Sequence, residues 1–265
     1  MNMFIHELKV YRKSTVVWMI SLASIVIFFM SMFPVIFKDA QLMQEILGNF
    51  PPEFLTAFGI SALDLSSELG FYGFLFTYIL LAGSIQAMNL GTSVLSAEVR
   101  DNTAEFLLAK PVNRVQIVTS KVSAIFIHLI LTDVVYIIAA KVMLDIVKEN
   151  TYDGTIFFII SITLLFLQVF FMSFGLLVSV LMKKIRTVMP ISLGSVFGFY
   201  VIHLLNETLN DEKLTYITPF EYFKPQEIIE SGNLDWKYIM LIVILTGIFI
   251  ASSYIIYKRK DIPSI

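Results

Sequence analysis

TIFFIISITLLFLQVFFMSFGLLVSVLM, Thr155 to Met182, runs for 28 residues without a charge. About 20 apolar residues in helical form cross the ~30 Å hydrocarbon core of a bilayer. Five more such runs lie around it. They are Ser14 to Phe37 with Pro34 near its end, Phe71 to Ser96, Val122 to Leu144, Thr187 to Leu205 and Tyr238 to Tyr257. The composition agrees: 57% of the 265 residues are hydrophobic and 15% charged, with a mean hydropathy of +0.80. Soluble domains sit nearer ~45–50% apolar and ~25% charged. Backbone polar groups in lipid must be satisfied within the segment, so all six runs are read as helices. The expected fold class is all-α: a polytopic membrane protein with six transmembrane helices. No small-residue cleavage site follows the first run, which reads as a retained span. The chain has no cysteine, which excludes disulfides and thiolate metal sites.

Basic residues near the span ends set the expected orientation. One side collects Lys9, Arg12, Lys13, Arg100, Lys110, Arg114, Lys121, Lys183, Lys184, Arg186, Lys258, Arg259 and Lys260. The other holds Lys38, Lys148, Lys213, Lys224 and Lys237 among many carboxylates. The first side is expected to be cytoplasmic, with both termini on it, as an even number of spans requires. Residues 1–13 place Phe4, Leu8 and Tyr11 on one helical face, the pattern of an interfacial helix feeding the first span. The outer loops 38–70 and 206–237 are long and hold apolar, helix-compatible stretches expected to lie on or dip into the outer leaflet. No linker or second domain is visible, so residues 1–265 are read as one transmembrane domain.

Inside, only the loop 97–121 is substantial, and it contains NTAEFLLAKPVNR, Asn102 to Arg114. Asn102 with Glu105 makes a capping-box-like start, and Pro111 restricts Lys110 and stops the helix. Asn113 is placed to cap a new helix that rises into the third span. Phe106, Leu107 and Leu108 are apolar on an otherwise charged loop, so the stretch lies on the bilayer surface or inserts into a partner.

The run AEVRDNTAEFLLAKPVNRVQIVTSK resembles the first cytoplasmic loop of the ABC-2 type permeases. Within these it is similar to the six-span permeases of bacitracin and lantibiotic resistance and of sodium export. The matching positions are Glu98, Thr103, Glu105, Leu107, Leu108, Pro111, Val112, Arg114 and Lys121. Arg100 and Asp101 find no counterpart in that pattern. ITPFEYFKPQEIIESGNLDW, Ile217 to Trp236, resembles the family's outer loop before the last span, with its core at Pro219, Phe220, Tyr222 and Phe223. The resemblance implies an ABC-2, type V exporter-like transmembrane domain in the cell membrane, with a bacterial plasma membrane expected. It implies that loop 97–121 carries a coupling helix docked on a separate ABC ATP-binding subunit. Phe106, Leu107 and Leu108 would be the apolar anchors, with Glu98, Glu105 and Arg114 as polar contacts at the rim. It also implies a second permease subunit, identical or related, and export of a peptide, lipid-like or other amphipathic substrate.

There is no G-x-x-x-x-G-K-[ST] phosphate loop, so ATP and Mg would be bound by the partner, and no cofactor is expected in this chain. His6, His128 and His203 are scattered, with no H-E-x-x-H, and no metal site is expected. No nucleophile elbow or catalytic carboxylate pair is present, so no catalytic residue and no enzyme activity is expected. Nothing points to nucleic acid; membrane lipid is the expected surround.

Within the spans, Asp133 lies about 18 Å up its helix from Lys121, near the midplane. A carboxylate there costs at least ~2.5–3.5 kcal/mol to insert, so it should face protein or a water-filled cavity. It reads either as part of a transport path or proton-sensitive hinge, or as interhelical packing. Gln86, Asn89 and Gln168 read as interhelical packing groups or as polar wall of the same path. Lys141 and Asp145 are spaced to pair at the outer end of the third span. Gly194-x-x-x-Gly198 permits close helix approach, within the chain or across a dimer seam. Two other functions stay open: a membrane sensor or scaffold bound to an ATPase without cargo, and an ion-coupled secondary transporter.

Overall fold

The computed structural model describes residues 3–38, 46–57, 64–100, 113–182 and 184–259. Among these residues there is no strand, and six helices are long and apolar enough to cross a membrane. The spans are α1 (Met3–Met30) with its continuation α2 (Phe33–Lys38), followed, after a short helix α3 (Pro52–Ala57), by α4 (Glu68–Arg100). Then come α5 (Arg114–Val147), α6 (Gly154–Leu181) and α7 (Met189–Leu209). The connection to the last span holds α8 (Glu212–Ile217), a 3-10 turn (Pro219–Phe223) and α9 (Pro225–Ser231), and α10 (Trp236–Arg259) is the last described element.

Local chemistry sets the breaks. Pro34 has no N–H to offer the Met30 carbonyl, so α1 ends there in a turn and α2 begins with the proline in its first turn. Asp153 caps α6, its Oδ1 accepting from Thr155 N at 2.7 Å and Ile156 N at 3.4 Å. Pro190 sits in the first turn of α7, and Asn210 ends that helix in the left-handed region at φ 51°. The segment read as an interfacial helix feeding the first span, residues 1–13, is continuous with that span from Met3 onward. Glu7, Thr15, Leu22, Val26 and Met30 form the buried face of α1, which packs on α5.

Helix α4 is central, with buried residues around its circumference and α6, α5, α7 and α1 packed on it. Its crossing with α6 is made by glycines. A Cβ on Gly175 would stand 2.7 Å from the Met88 carbonyl oxygen and 2.8 Å from Thr92 N. A Cβ on Gly91 would overlap the Met172 carbonyl. The two backbones therefore touch directly, as small residues allow between membrane helices. Toward the end opposite the termini, the Tyr72 hydroxyl lies 2.8 Å from the Tyr136 hydroxyl and 2.7 Å from Ser161 Oγ, tying α4, α5 and α6 together. At that end the Glu68 carboxylate accepts from the backbone N–H of Glu149 at 3.2 Å and Asn150 at 2.6 Å, fixing the α5–α6 turn. Lys141 pairs with Asp145 at 3.0 Å on the exposed surface there.

Candidate functional site

The loop motif read from the sequence is bounded by the end of α4 and the start of α5. Thr103, Glu105, Phe106, Leu107, Leu108 and Pro111 lie outside the described residues. Both feet of the loop are described. Asn113 caps α5 as expected: its side chain accepts from Val115 N at 3.1 Å, and Gln116 Oε1 accepts from Asn113 N at 3.2 Å. This reciprocal box satisfies donors that a helix start leaves open. The next residue, Arg114, donates through Nη1 to the carbonyls of Tyr257 at 3.1 Å and Lys258 at 3.4 Å. A guanidinium thus meets the C-terminal end of α10, where the helix dipole and unpaired carbonyls favour a cation. Thr119 Oγ1 lies 2.9 Å from the Tyr254 hydroxyl, a second tie to the same helix.

Two turns into α5, Lys121 is buried, with 1% exposure. Its ammonium donates to Glu7 Oε1 at 2.7 Å and pairs with Glu98 Oε1. One cation therefore joins the start of α1, the end of α4 and the start of α5. Such a pair is stabilising only as a set, because any member left alone is an uncompensated charge in a dry site. Above it, Tyr11 donates to Ser93 Oγ at 3.3 Å and Thr15 Oγ1 lies 2.9 Å from His128 Nδ1. These contacts continue the seam between α1, α4 and α5. Sequence reasoning placed Glu98 and Arg114 at the rim of a partner interface; in the structure the side chains of both engage this chain's own helices. Lys121 entered as a motif position with no role, and Glu7 was missed. The signal for them was charge on the apolar-facing sides of helices, where an isolated charge is not tolerated.

In the middle of the bundle, Gln86 Nε2 donates to Thr132 Oγ1 at 2.9 Å. Asp133 is buried and faces the Gln168 amide without closing a hydrogen bond. Both Asp133 oxygens, both polar atoms of Gln168 and Gln86 Oε1 lack hydrogen-bond partners among the described residues. Asp133 of α5 and Gln168 of α6 therefore face each other, and Gln86 of α4 meets α5 at Thr132, the residue before Asp133. Asn89 stands apart, its Nδ2 lying 3.5 Å from Met189 Sδ.

At the far end of the bundle, part of the loop 206–237 packs between helices. Pro219, Phe220, Tyr222 and Phe223 are all buried. Phe220 packs on Phe171 and Tyr200, Phe223 stacks on Phe166, and Tyr222 stacks on Tyr238 with ring centroids 5.3 Å apart. Burial pushes the Tyr222 hydroxyl up to about 12. Glu221, in the same turn, is fully buried and lies 2.5 Å from His203 Nδ1 of α7. Lys224 bridges Glu207 at 2.6 Å and Glu221 Oε2 at 2.7 Å. Burial alone would raise the Glu221 carboxyl, but the His203 and Lys224 contacts outweigh it and hold it below the usual range. Burial likewise opposes the Lys224 charge, and the two carboxylates overcome that and push its pKa up. The histidines looked scattered in the sequence; the i, i+4 spacing of His203 and Glu207 was the visible sign of this cluster.

The family model for ABC-2 family transporter proteins matches residues 1–262. No curated protein matches the chain.

Proposed function

The chain belongs to the ABC-2 transporter family and is a multi-pass permease component of an ABC transporter; we propose that residues 101–112 seat a separate ATP-binding subunit whose closure drives the spans. In this reading the termini and that loop are cytoplasmic and the protein lies in the cell membrane. Phe106, Leu107 and Leu108 are the anchors, and Glu105 lies at the rim. ATP and Mg belong to the partner. The observation that carries the reading is the mounting of the loop. Its two feet are tied through Lys121 to α1 and through Arg114 to α10. A push on the loop therefore moves the ends of α1, α4, α5 and α10 together, which is what a coupling element requires. The free energy for switching comes from the partner binding one arrangement of the spans better than the other.

A second permease subunit is part of the proposal. A Cβ on Gly194 or Gly198 would meet nothing within 4 Å among the described residues, so no described element of this chain packs on the close-approach motif. Phe197, Val201 and Leu205 lie exposed along the same face of α7. A second copy seated there would give the glycines a neighbour. Export rests on the likeness to permeases that mostly export, and an apolar, aromatic-rich membrane face suits an amphipathic substrate entering from the bilayer.

The test is a pull-down of the detergent-solubilised chain from its native membrane, with mass spectrometry of the eluate. An ATP-binding cassette protein in near-equal amount, lost on Leu108→Asp with the chain still monodisperse, is the expected result. An eluate without such a protein, or one unchanged by Leu108→Asp together with Glu105→Lys, would refute the seating.

A further inference from the structure

His203, Glu207 and Glu221 bring one imidazole nitrogen and two carboxylate oxygens within 4.8 Å of one another, drawn from α7 and from the 3-10 turn. The geometry points to a divalent transition-metal site of the zinc class at this end of the bundle, occupied in the metal-free protein by the ammonium of Lys224. The inference is independent of the transport reading.

The donor set comes first. Imidazole nitrogen with carboxylate oxygens suits Zn²⁺ and its neighbours, which take three protein ligands and leave a fourth position for water. Calcium and magnesium favour all-oxygen sets, so the histidine argues against them. His203 and Glu207 are four apart on one face of α7, and Glu221 approaches from the buried turn packed on that helix. Bonds of about 2.0–2.1 Å in a tetrahedron put ligands roughly 3.4 Å apart. The donors need shifts of about an ångström to reach that, the His203–Glu221 contact opening and the Glu207 carboxylate closing in.

The second observation is the state of the carboxylates. Glu221 Oε2 closes no hydrogen bond and is compensated by the Lys224 charge at 2.7 Å. Lys224 reaches Glu207 as well, so its ammonium already sits where the two carboxylates converge on a cation. The two carboxylates and the one ammonium sum to one negative charge. The Lys224 side chain is one-quarter exposed on a flexible stem. It can swing to solvent, leaving two carboxylates that balance a dication. Bound metal would then clamp the Pro219–Phe223 turn onto α7.

The experiment uses untagged, detergent-purified full-length protein stripped with chelator and then titrated with Zn²⁺. Calorimetry and elemental analysis read affinity and stoichiometry. We expect one Zn²⁺ per chain in the wild type, lost in the His203→Ala/Glu207→Gln double variant. Lys224→Gln removes the competing ammonium and should tighten binding by at least ~10-fold, whereas a purely structural ion pair gives this variant no metal affinity. Lys224→Arg, which keeps a cation in place, should bind no tighter than wild type. Gel filtration and a melting curve confirm that each variant is folded. Wild-type binding no stronger than that of the double variant, or Lys224→Gln binding no tighter than wild type, would overturn the site.

Discussion

Replacing Lys121 with methionine tests the mount of the loop directly. Methionine matches the length of the lysine stem and removes only the charge. Glu7 and Glu98 then face each other across the ends of three helices, with Glu7 8% exposed at its side chain and Glu98 16%. Each must stay charged without a partner or take up a proton. Protonating a glutamate of ordinary pKa ~4.3 at pH 7 costs about 3.7 kcal/mol. Glu98 is the more exposed and can relax toward water, so one such cost is the working figure. It agrees with the ~3–5 kcal/mol lost when one partner of a buried pair is removed. For a chain of this size about 1 kcal/mol shifts the melting midpoint by ~2–4 °C, so a drop of roughly 6–20 °C is expected. Fluorescence of Trp18 and Trp236 on heating the detergent-purified protein reads it. The triple variant Glu7→Gln/Lys121→Met/Glu98→Gln keeps the volume and removes all three charges, and should recover most of the loss. A single variant melting within ~2 °C of wild type would refute the claim that these charges form one interdependent set.

Gly175→Leu forces a side chain between two backbones that touch, so expression should survive while the melting midpoint falls by the several degrees that overpacking of ~1–3 kcal/mol implies. An unchanged midpoint would show that α4 and α6 separate easily. Gly194→Leu with Gly198→Leu should leave that midpoint in place and reduce the mass of the permease assembly by light scattering; a dimer of unchanged mass would move the seam elsewhere. The far-end cluster carries its own pH window. Glu221 is held low, so its contribution is complete above the unfolded value near ~4.3 and is lost as pH falls through the folded one. Lys224 is held high, so its contribution is complete below ~10.4 and is lost as pH rises through its folded value. Hydrogen exchange of residues 219–231 should therefore be slow and flat from about pH 5 to 10, after correction for intrinsic rates, and rise on either side. A steady slope through neutral pH would contradict that assignment.

The spans were legible because hydrocarbon thickness leaves no choice: a long uncharged run such as Thr155–Met182 has one stable form in lipid. Asn113 was legible for a local reason, since a cap depends on residues three positions apart. Glu98, Arg114 and Lys121 were visible as motif positions, but their partners were not. Glu7 lies 114 positions from Lys121 and Tyr257 lies 143 from Arg114, and no local pattern links them. The burial of Pro219–Phe223 was not legible, because an aromatic loop segment looks the same whether it meets lipid or a groove between helices. Asp133 and Gln168 were picked out singly, and only the crossing of α5 with α6 shows that they share one place.

The direct contact of α4 and α6 has a mechanical consequence. Helices separated by interleaved side chains can slide, because rotamers adjust and ridges step from one groove to the next. Between Gly91 and Gly175 there is no such yielding layer, only main chain on main chain. That pair has one register and behaves as a rigid spine. Any second arrangement of the bundle must therefore move the helices packed around this spine, leaving the spine itself unsheared.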